Sequence, residues 1–229
     1  MRHTAIPASL FIANRKRLAS AIKPGGIAVL NSNDIMPTNA DGTMPFRQNS
    51  DLFYLSGIEQ EESVLLLAPD AIDPAQREML FIRQPNEHLA TWEGEKLSKE
   101  KARDVSGIAR VRWLSELPSA LHGLMCESGS VWLNSNEHER ASTEVEPRDV
   151  RLGRQLVARY PLHRYERLAP LLRRLRAVKD PAEIELTRQA IDITAAGLER
   201  MLAVMRPGVM EYDLEAELAA EFIRRRAKM

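Results

Sequence analysis

Short apolar runs, each bounded by Gly, Pro, Asn, Asp or Ser, recur through the first part of the chain. Runs of this length and setting predict strands that are covered on both faces of a sheet. The predicted strands are Ile27–Leu30, Val64–Leu67, Met79–Ile82, Val111–Leu114 and Val131–Leu133. Helices with one apolar face are predicted at Ser9–Ile22, Ser98–Val105 and Ser115–Cys126. Because the second and third strands are too close in sequence for a crossover helix, the pattern predicts an α/β domain whose central mixed β-sheet is flanked by helices.

The strand signals stop at about Asp149, and the remaining sequence is helical and rich in arginine. A helix start is predicted at Asp180, because this residue can cap the helix and is followed by proline and glutamate at the favoured positions. An apolar face continues to Met205, and a second helix is predicted from about Glu211. The sequence therefore predicts two domains, residues 1–178 and residues 179–229.

The charge balance and cysteine content limit the classes of protein to which this chain can belong. It carries 32 basic and 32 acidic residues, so it lacks the net positive charge of a nucleic-acid binder or a membrane-surface protein. Its single cysteine, Cys126, cannot form an internal disulfide, and no apolar stretch approaches the roughly 18 to 20 residues that cross a bilayer. We therefore expect a cytoplasmic protein with neither nucleic acid nor membrane as a partner.

The segment Met44–Gly57, MPFRQNSDLFYLSG, places a polar run directly before an aromatic and apolar run and closes on glycine. Asn49 or Ser50 can cap the short helix that Asp51 opens, and Gly57 is the residue type that ends such a helix in a left-handed conformation. The segment is therefore predicted to form a fixed loop followed by a short helix.

This segment resembles the R-Q-[ND]-S-D signature of the N-terminal domain of aminopeptidase P, the Xaa-Pro aminopeptidases of the creatinase/prolidase superfamily. Three further stretches are similar to the same family: Thr91–Gly94, Lys179–Ile184 and Arg206–Phe222. In the family, the last two begin the catalytic domain, which has the pita-bread fold. The resemblance therefore implies an N-terminal domain followed by two helices of a truncated pita-bread domain. Met210 departs from the family pattern, in which a threonine often caps the second helix.

The resemblance also implies an activity, a cofactor and a partner. Members of the family remove the N-terminal residue that precedes proline, using a hydroxide that bridges two divalent metal ions, usually manganese. Such a metal pair generates the nucleophile and polarises a tertiary amide that has no N–H to recognise. The five metal ligands of the family lie downstream of the last helix of this sequence, so we expect no catalytic and no metal-binding residue in this chain. The intact enzyme is expected to act on Xaa-Pro peptides as a homo-oligomer.

Several features of the sequence could suggest other chemistry, and a structural interpretation is favoured for each. The five histidines are scattered, with no pair at the spacing of a helical metal site. The segment Asn136–Arg140 is predicted to be a solvated loop or helix start, and Glu215, Glu217 and Glu221 are predicted to form a charged helix face. Cys126 is predicted to be a buried structural thiol, because it lies in an apolar helix with no cationic residue within four positions.

Seven residues are candidates for an accessory role. Trp92 is predicted to lie on a loop, where it is either a lid on its own domain or, as the resemblance implies, an aromatic wall for a proline ring in a neighbouring subunit. Asp41 is favoured as a turn residue over the partner for the substrate that the resemblance suggests. The other five lie in the motif and are expected to fasten its loop: Arg47, Gln48, Asn49, Asp51 and Tyr54. Of these, Arg47 and Asp51 are four residues apart and could pair.

These observations support three hypotheses about function. In the leading one, the chain is the N-terminal portion of a Xaa-Pro aminopeptidase, contributes a wall of the substrate site and the contacts of the oligomer, and is inactive without the metal-binding half. In the second, it is a stand-alone, non-catalytic interaction or assembly module derived from such an enzyme. In the third, it comes from another member of the superfamily, such as prolidase. The R-Q-N-S-D run favours the first hypothesis over the third.

Overall fold

A computed structural model describes residues 6–86, 90, 94–141 and 144–227 of the chain. The chain divides into two compact units, Pro7–Ala177 and a second unit that starts at Val178. The first unit contains a β-sheet, and the second is helical. Within these described ranges, no helix is both long enough and apolar enough to span a membrane.

The first unit is built on a six-stranded sheet. Its strands are β1 (Gly26–Asn31), β2 (Val64–Leu67), β3 (Glu78–Ile82), β4 (Arg110–Trp113), β5 (Ser130–Leu133) and β6 (Arg164–Arg167). They are arranged in the order β4-β3-β2-β1-β5-β6. Strand β2 is antiparallel to β1 and β3, whereas the pairs β3–β4, β1–β5 and β5–β6 are parallel. The predicted mixed sheet is therefore confirmed.

Helices cover both faces of this sheet. They are α1 (Ala8–Ala21), α2 (Ser50–Ser56), α3 (Lys99–Ser106), α4 (Leu117–Glu127), α5 (Arg148–Arg159) and α6 (Ala169–Ala177). Along β1, Ala28 and Leu30 belong to one buried cluster with side chains of α1, α2, α3 and α6. Ile27 and Val29 belong to a second cluster with side chains of α4 and α5. Because side chains alternate along a strand, this division makes the first unit a three-layer α/β structure.

One prediction was wrong: strand signals were said to stop at about Asp149, but β6 lies after that point. Its sequence is Arg-Tyr-Glu-Arg, which contains no apolar run, and its residues are exposed or half-buried. The strand forms an edge of the sheet and pairs in parallel with β5. Because its backbone hydrogen bonds to β5 rather than burial of its side chains define it, the hydrophobic pattern carried no signal for it.

Arg15 is fully buried and joins three elements of the first unit. Its Nη1 donates to the carbonyl oxygens of Leu55 at 2.7 Å and Ser106 at 2.9 Å, and its Nε donates to Glu78 Oε2 at 3.0 Å. The two carbonyls lie at the C-terminal ends of α2 and α3, where a cation is favourable. Burial lowers the pKa of the Arg15 guanidinium, and the Glu78 carboxylate opposes that shift. This buried cation was not predicted from the sequence.

The second unit contains α7 (Pro181–Val204) and α8 (Glu211–Arg224), which pack on each other. The predicted start of α7 is confirmed, because Asp180 Oδ1 accepts a hydrogen bond from the Ala182 amide at 2.9 Å and Glu183 Oε2 accepts one from the Asp180 amide at 2.8 Å. The two helices approach closely at Gly197, where a Cβ atom would lie 2.6 Å from Leu218 Cδ1. A glycine at this position therefore allows the close packing.

Most apolar side chains of this second unit are exposed. Of the described residues of α7 only Gly197 is buried, and of those of α8 none is. Ile191, Leu202 and Ile223 are each at least 60% exposed. Met210 precedes α8 and makes no side-chain capping hydrogen bond, although its amide donates to Asp213 Oδ2 at 3.2 Å. Met210 therefore does not supply the side-chain cap that a threonine often supplies in the family.

Candidate functional site

The motif segment forms a loop and a helix that local hydrogen bonds hold in place. Asn49 caps α2, since its Oδ1 accepts from the amides of Asp51 at 2.9 Å and Leu52 at 3.3 Å. Gly57 ends the helix with a φ of 68°, and a Cβ atom there would lie 2.3 Å from the ring of Phe11. The left-handed conformation and the close ring therefore both require glycine at this position.

Gln48 ties the loop to the segment that follows α2. Its Nε2 donates to the carbonyl oxygens of Ile58 at 3.1 Å and Gln60 at 2.9 Å. Its Oε1 accepts from the amide of Asn49 at 2.7 Å. One side chain thus bonds backbone groups on both sides of α2 and holds the entry and the exit of the helix together.

The carboxylate of Asp51 is bonded to two residues far along the chain. Arg176 Nη1, in α6, lies 2.5 Å from Oδ1, and Asn134 Nδ2, directly after β5, donates to Oδ2 at 3.1 Å. Each of the two carboxylate oxygens of Asp51 therefore has a partner that is distant in sequence. The backbone carbonyl of Arg47 accepts a hydrogen bond from Asn33 Nδ2 at 3.0 Å.

Tyr54 connects α2 to α1 and α6. Its hydroxyl accepts from Arg17 Nη2 at 3.0 Å, and its backbone carbonyl accepts from Asn14 Nδ2 at 2.9 Å. The hydroxyl also donates to the carbonyl of Leu175 at 3.5 Å, and the guanidinium of Arg176 lies 5.6 Å from the ring centroid. That distance suits a cation–π contact. The polar groups of the motif are thus largely used in holding three helices and the end of β5 together.

A buried carboxylate, Asp149, lies beside the motif at the carboxyl end of β1. Its Oδ1 accepts from the backbone amide of Asn31 at 3.1 Å and from Asn31 Nδ2 at 2.6 Å. Burial raises the pKa of Asp149 to about 6; the hydrogen bonds from Asn31 oppose that shift, and the charge of Asp51 adds to it. In the sequence, Asp149 was noted only as the approximate point at which the strand signals stop. No local pattern could have found it, because its partner is 118 residues away.

Asp41 lies in an exposed turn at the tip of the loop between β1 and α2. Pro37 and Thr43 form an isolated bridge across the loop, and the amide of Gly42 donates to the carbonyl of Asn39 at 3.0 Å. The structure therefore places Asp41 in a turn with its side chain exposed to solvent. Trp92, the other substrate-proximal candidate, lies outside the described residues.

Three of the other chemical candidates have structural partners. Glu137 of the predicted solvated segment is hydrogen-bonded to Arg167, and this contact lowers the pKa of the Glu137 carboxyl. In α8, Glu217 is bonded to Arg200 at 2.7 Å. Glu221 of the same helix is bonded to an arginine one turn further on. Within the ranges given above, no group of three or more His, Cys, Asp or Glu side chains is placed to hold a metal ion.

The prediction that Cys126 is a buried thiol was wrong, because its side chain is exposed. Helix α4 turns Leu121, Leu124 and Met125 toward the sheet, and Cys126 lies on the opposite side. Its Sγ lies 3.9 Å from Nε2 of His122, the residue one turn earlier. The apolar composition of the helix therefore did not indicate on which of its faces Cys126 lies.

The arrangement of sheet, motif loop and helices is that of the N-terminal region of aminopeptidase P. The structure of the Pseudomonas aeruginosa aminopeptidase PepP superposes with a TM-score of 0.83 and 28% sequence identity, covering 98% of this chain and 51% of that one. The family profile described as Aminopeptidase P, N-terminal domain matches residues 11–132, which is more than half of the sequence. The chain belongs to this family.

Two curated relatives match almost the whole chain. The Xaa-Pro aminopeptidase of Escherichia coli (strain K12) is 30% identical over 220 residues, which cover 95% of this chain and 49% of the relative. The Xaa-Pro aminopeptidase of Haemophilus influenzae is 27% identical over 223 residues, which cover 97% of this chain and 49% of the relative. The chain thus spans about half the length of these relatives.

Proposed function

We propose that this chain is the N-terminal portion of a Xaa-Pro aminopeptidase, an enzyme that releases the residue preceding a proline. The observation that carries the proposal is the extent of the similarity. Relatives that are named Xaa-Pro aminopeptidases match 95% or more of this chain, and the chain spans about half of each of them. The fastened motif loop adds local support, because the residues that carry the resemblance also make specific contacts within the fold.

We propose a domain boundary between residues 178 and 179, where an N-terminal domain gives way to the first two helices of a catalytic domain. The division into compact units after Ala177 supports this boundary. The capped start of α7 at Asp180 supports it as well, since a new element with its own N-terminal hydrogen bonds begins there.

The proposed contribution of the chain is a wall of the substrate site together with contacts between subunits of a homo-oligomer. Trp92 is proposed to line the position of the proline ring, because an indole on a loop offers a flat apolar face. Asp41 is the second candidate, since its carboxylate is exposed at the tip of a loop. Met36 and Met44 on the same loop are 39% and 55% exposed, which suits a contact with a neighbouring chain.

Two divalent metal ions, manganese by family resemblance, are proposed for the complete enzyme. The described part of this chain does not fit such a pair, because it brings no three candidate ligand side chains together. We therefore assign no catalytic step to these residues. The ligands are proposed to lie in the half of the enzyme that this chain does not span, and the site of action is proposed to be the cytoplasm.

The proposal is tested by comparing the 229-residue chain with the complete reading frame that contains it. We expect the complete protein to bind about two metal ions after dialysis and to release the first residue of an Xaa-Pro peptide. We expect the 229-residue chain to do neither. A peptide with alanine in place of the proline controls for other aminopeptidases. Stoichiometric metal or turnover with the short chain would contradict the proposal.

A second candidate function, a stand-alone assembly module, is favoured by the exposed apolar side chains of α7 and α8. Such side chains are typical of a surface that another polypeptide covers. The reading frame after Met229 separates the two candidates. If it continues into Asp, Asp, His, Glu and Glu at the spacing of the family, the module hypothesis fails.

A further inference from the structure

We infer that Asp51 is a positioning residue that acts at the boundary between the two proposed domains. It lies in α2, the helix of the motif, and its carboxylate contacts Arg176 in the last turn of α6. Helix α6 ends at Ala177, and the second compact unit starts at Val178. In this account the motif contributes to turnover by fixing the point at which the chain leaves the first unit.

Asp51 connects the last turn of α6 to the end of the sheet. Its Oδ1 lies 2.5 Å from Arg176 Nη1, and the same nitrogen donates to Ser50 Oγ at 3.1 Å. Its Oδ2 accepts from Nδ2 of Asn134, the residue that directly follows β5, at 3.1 Å. Asp51 also lies in the first turn of α2, where a carboxylate is favourable. The carboxylate is therefore held by α2 and the sheet, and it in turn holds the guanidinium of Arg176.

Tyr54, three residues further along α2, contacts the same turn of α6. Its hydroxyl donates to the carbonyl of Leu175 at 3.5 Å, and its ring centroid lies 5.6 Å from the guanidinium of Arg176. The last four carbonyls of an α-helix have no partner within the helix, so this hydroxyl serves one of them. Tyr54 is buried, and Arg17 Nη2 donates to its hydroxyl at 3.0 Å. These contacts therefore add to the hold of Asp51 on the end of α6.

The contacts with α2 matter because burial decreases along α6. Leu171 and Leu172, near its start, are 8% and 1% exposed, and Leu175 is partly buried against the core. Ala177 and Val178 are exposed. Helix ends open more readily than helix centres where few apolar contacts hold them. The polar contacts from α2 are therefore expected to decide how well the last turn is ordered.

The connection between α6 and α7 is short. Three residues, 178–180, join the two helices, and α7 begins with its own capped start. A chain of this length has a small reach, so a fixed end of α6 restricts the positions from which α7 can begin. This inference rests on the proposed function, because α7 is proposed to begin the catalytic domain. A wall of the substrate site helps turnover when it is held in one place relative to that domain.

A matched control lies in the same turn of α6. Arg174 and Arg176 are the basic residues of that turn, so both favour the C-terminal end of the helix dipole. Arg174 is exposed and makes none of the contacts with α2 given above. The side chains of Asp51 and Arg176 are 21% and 40% exposed, and a single ion pair of that accessibility contributes little to stability. Substitutions at Arg176 are therefore expected to leave the first unit folded, so that its effect on position can be measured.

The first arm of the test measures hydrogen exchange at the amides of residues 175–177 in the 229-residue chain. We expect Asp51→Ala and Arg176→Gln to raise these rates about ten-fold, after correction for intrinsic rates, and Arg174→Gln to leave them unchanged. Amides of β1 should keep their wild-type rates in every variant. Wild-type exchange at residues 175–177 in either of the first two variants would overturn the inference, whatever the function of the protein. Arg176→Gln decides the question if Asp51→Ala does not fold.

The second arm measures the distance between the two units by electron paramagnetic resonance. Spin labels are attached at Ser20→Cys in α1 and Gln189→Cys in α7. The background is Cys126→Ser, and excess unlabelled chain ensures that distances within one chain are measured. We expect Arg176→Gln to broaden the distance distribution about two-fold and Arg174→Gln to leave it unchanged, because a residue that only stabilised the first unit would not affect this width. Equal widths in the wild type and Arg176→Gln, whether narrow or broad, overturn the inference.

The third arm uses the complete enzyme below its unfolding temperature. We expect Asp51→Ala and Arg176→Gln each to lower kcat/KM for an Xaa-Pro peptide about five-fold, with metal content unchanged. The double variant should lose less than about two-fold more than either single variant, because both changes remove the same contact. Arg174→Gln should leave kcat/KM unchanged. Effects of the two substitutions that multiply independently would show that Asp51 does not act through Arg176 and would overturn the inference.

The outcomes separate the inference from the function on which it rests. If the short chain shows both expected effects but the complete protein releases no residue from Xaa-Pro peptides, the proposed function fails and the hold of α2 on α6 stands. If the complete enzyme turns over and Asp51→Ala leaves kcat/KM unchanged, the positioning role is overturned and the proposed function stands.

Discussion

The two compact units of this chain bury their apolar residues to very different extents. In the first unit, both faces of a sheet are covered, and the side chains of β2 and most of those of β3 are fully buried. In the second unit, α7 runs from Pro181 to Val204 with only Gly197 buried among its described residues. Each unit has a helix with a capped start, α2 at Asn49 and α7 at Asp180, so local structure does not explain the difference. Capping and periodicity specify a helix, but a core requires a second layer to cover it.

The largest expected effect is a difference in protection from hydrogen exchange between the two units of the 229-residue chain. Amides of β1, β2 and β3 should exchange at least about 1,000-fold more slowly than amides of α7 and α8, because only the former lie in a closed core. Limited proteolysis should cut near Ala177–Lys179 and leave the sheet unit intact. Equal protection of sheet and helices in a monomer would contradict this prediction, whereas equal protection in a dimer would show that a second copy covers the helices.

The next effect tests what holds the first unit together. Arg15→Met should lower the free energy of unfolding of this unit by about 3 to 5 kcal/mol, because it leaves the carbonyls of Leu55 and Ser106 and the carboxylate of Glu78 without their cation. Urea denaturation followed by circular dichroism measures the change. Lys101→Met, which removes an exposed ion pair, is the control and should leave the midpoint unchanged. A midpoint for Arg15→Met equal to that of the wild type would show that the buried cation does not stabilise the sheet unit.

A pH-dependent effect on the free energy of unfolding is expected at Asp149, and its size should be similar to or smaller than that of Arg15→Met. Burial raises the pKa of this carboxyl to about 6 in the folded state, above the value of about 3.9 in an unfolded chain. The folded state therefore binds the proton more tightly than the unfolded state does. The stabilisation that proton binding gives the folded state is fully present below about pH 4 and is lost as the pH rises through 6.

Asp149→Asn should remove this dependence, because the amide oxygen can still accept from Asn31 and carries no charge. At pH 8 the variant should be more stable than the wild type by up to about 3 kcal/mol, and at pH 4 the two should be equal. Asp104→Asn, on the exposed side of α3, is the control. A stability difference between Asp149→Asn and the wild type that is the same at both pH values would rule out titration of Asp149 as the cause.

The smallest effects compare one helix start from each unit. Asn49→Ala should destabilise the sheet unit by about 1 kcal/mol, because it removes the oxygen that caps α2. Met210→Thr should stabilise the start of α8 by about 1 kcal/mol or less, because a hydroxyl replaces a side chain that cannot cap, and Met210→Ala controls for loss of the methionine. Hydrogen exchange at the first amides of each helix provides the measurement. If Met210→Thr and Met210→Ala give equal exchange rates, the absent cap is not what weakens α8.

Several features of the fold were predictable because their causes are local. The strands β1, β2, β3 and β5 appeared in the sequence as short apolar runs, since each is buried on both faces. The cap at Asp180 and the left-handed end at Gly57 followed from residue types at fixed spacings. In the motif, Gln48 and Asn49 make contacts within a dozen residues along the chain.

The sequence by itself thus determined the strands that are apolar runs, the mixed character of the sheet and the resemblance to the aminopeptidase P family. Only the tertiary structure decided which charged and polar groups meet: Asp51 with Arg176, Arg15 with Glu78, and Asp149 with Asn31. It also decided that β6 is a strand and that Cys126 is exposed. The physical reason is that propensity, capping and periodicity act over a few residues. Burial and charge pairing depend on groups that folding brings together from up to 143 positions apart.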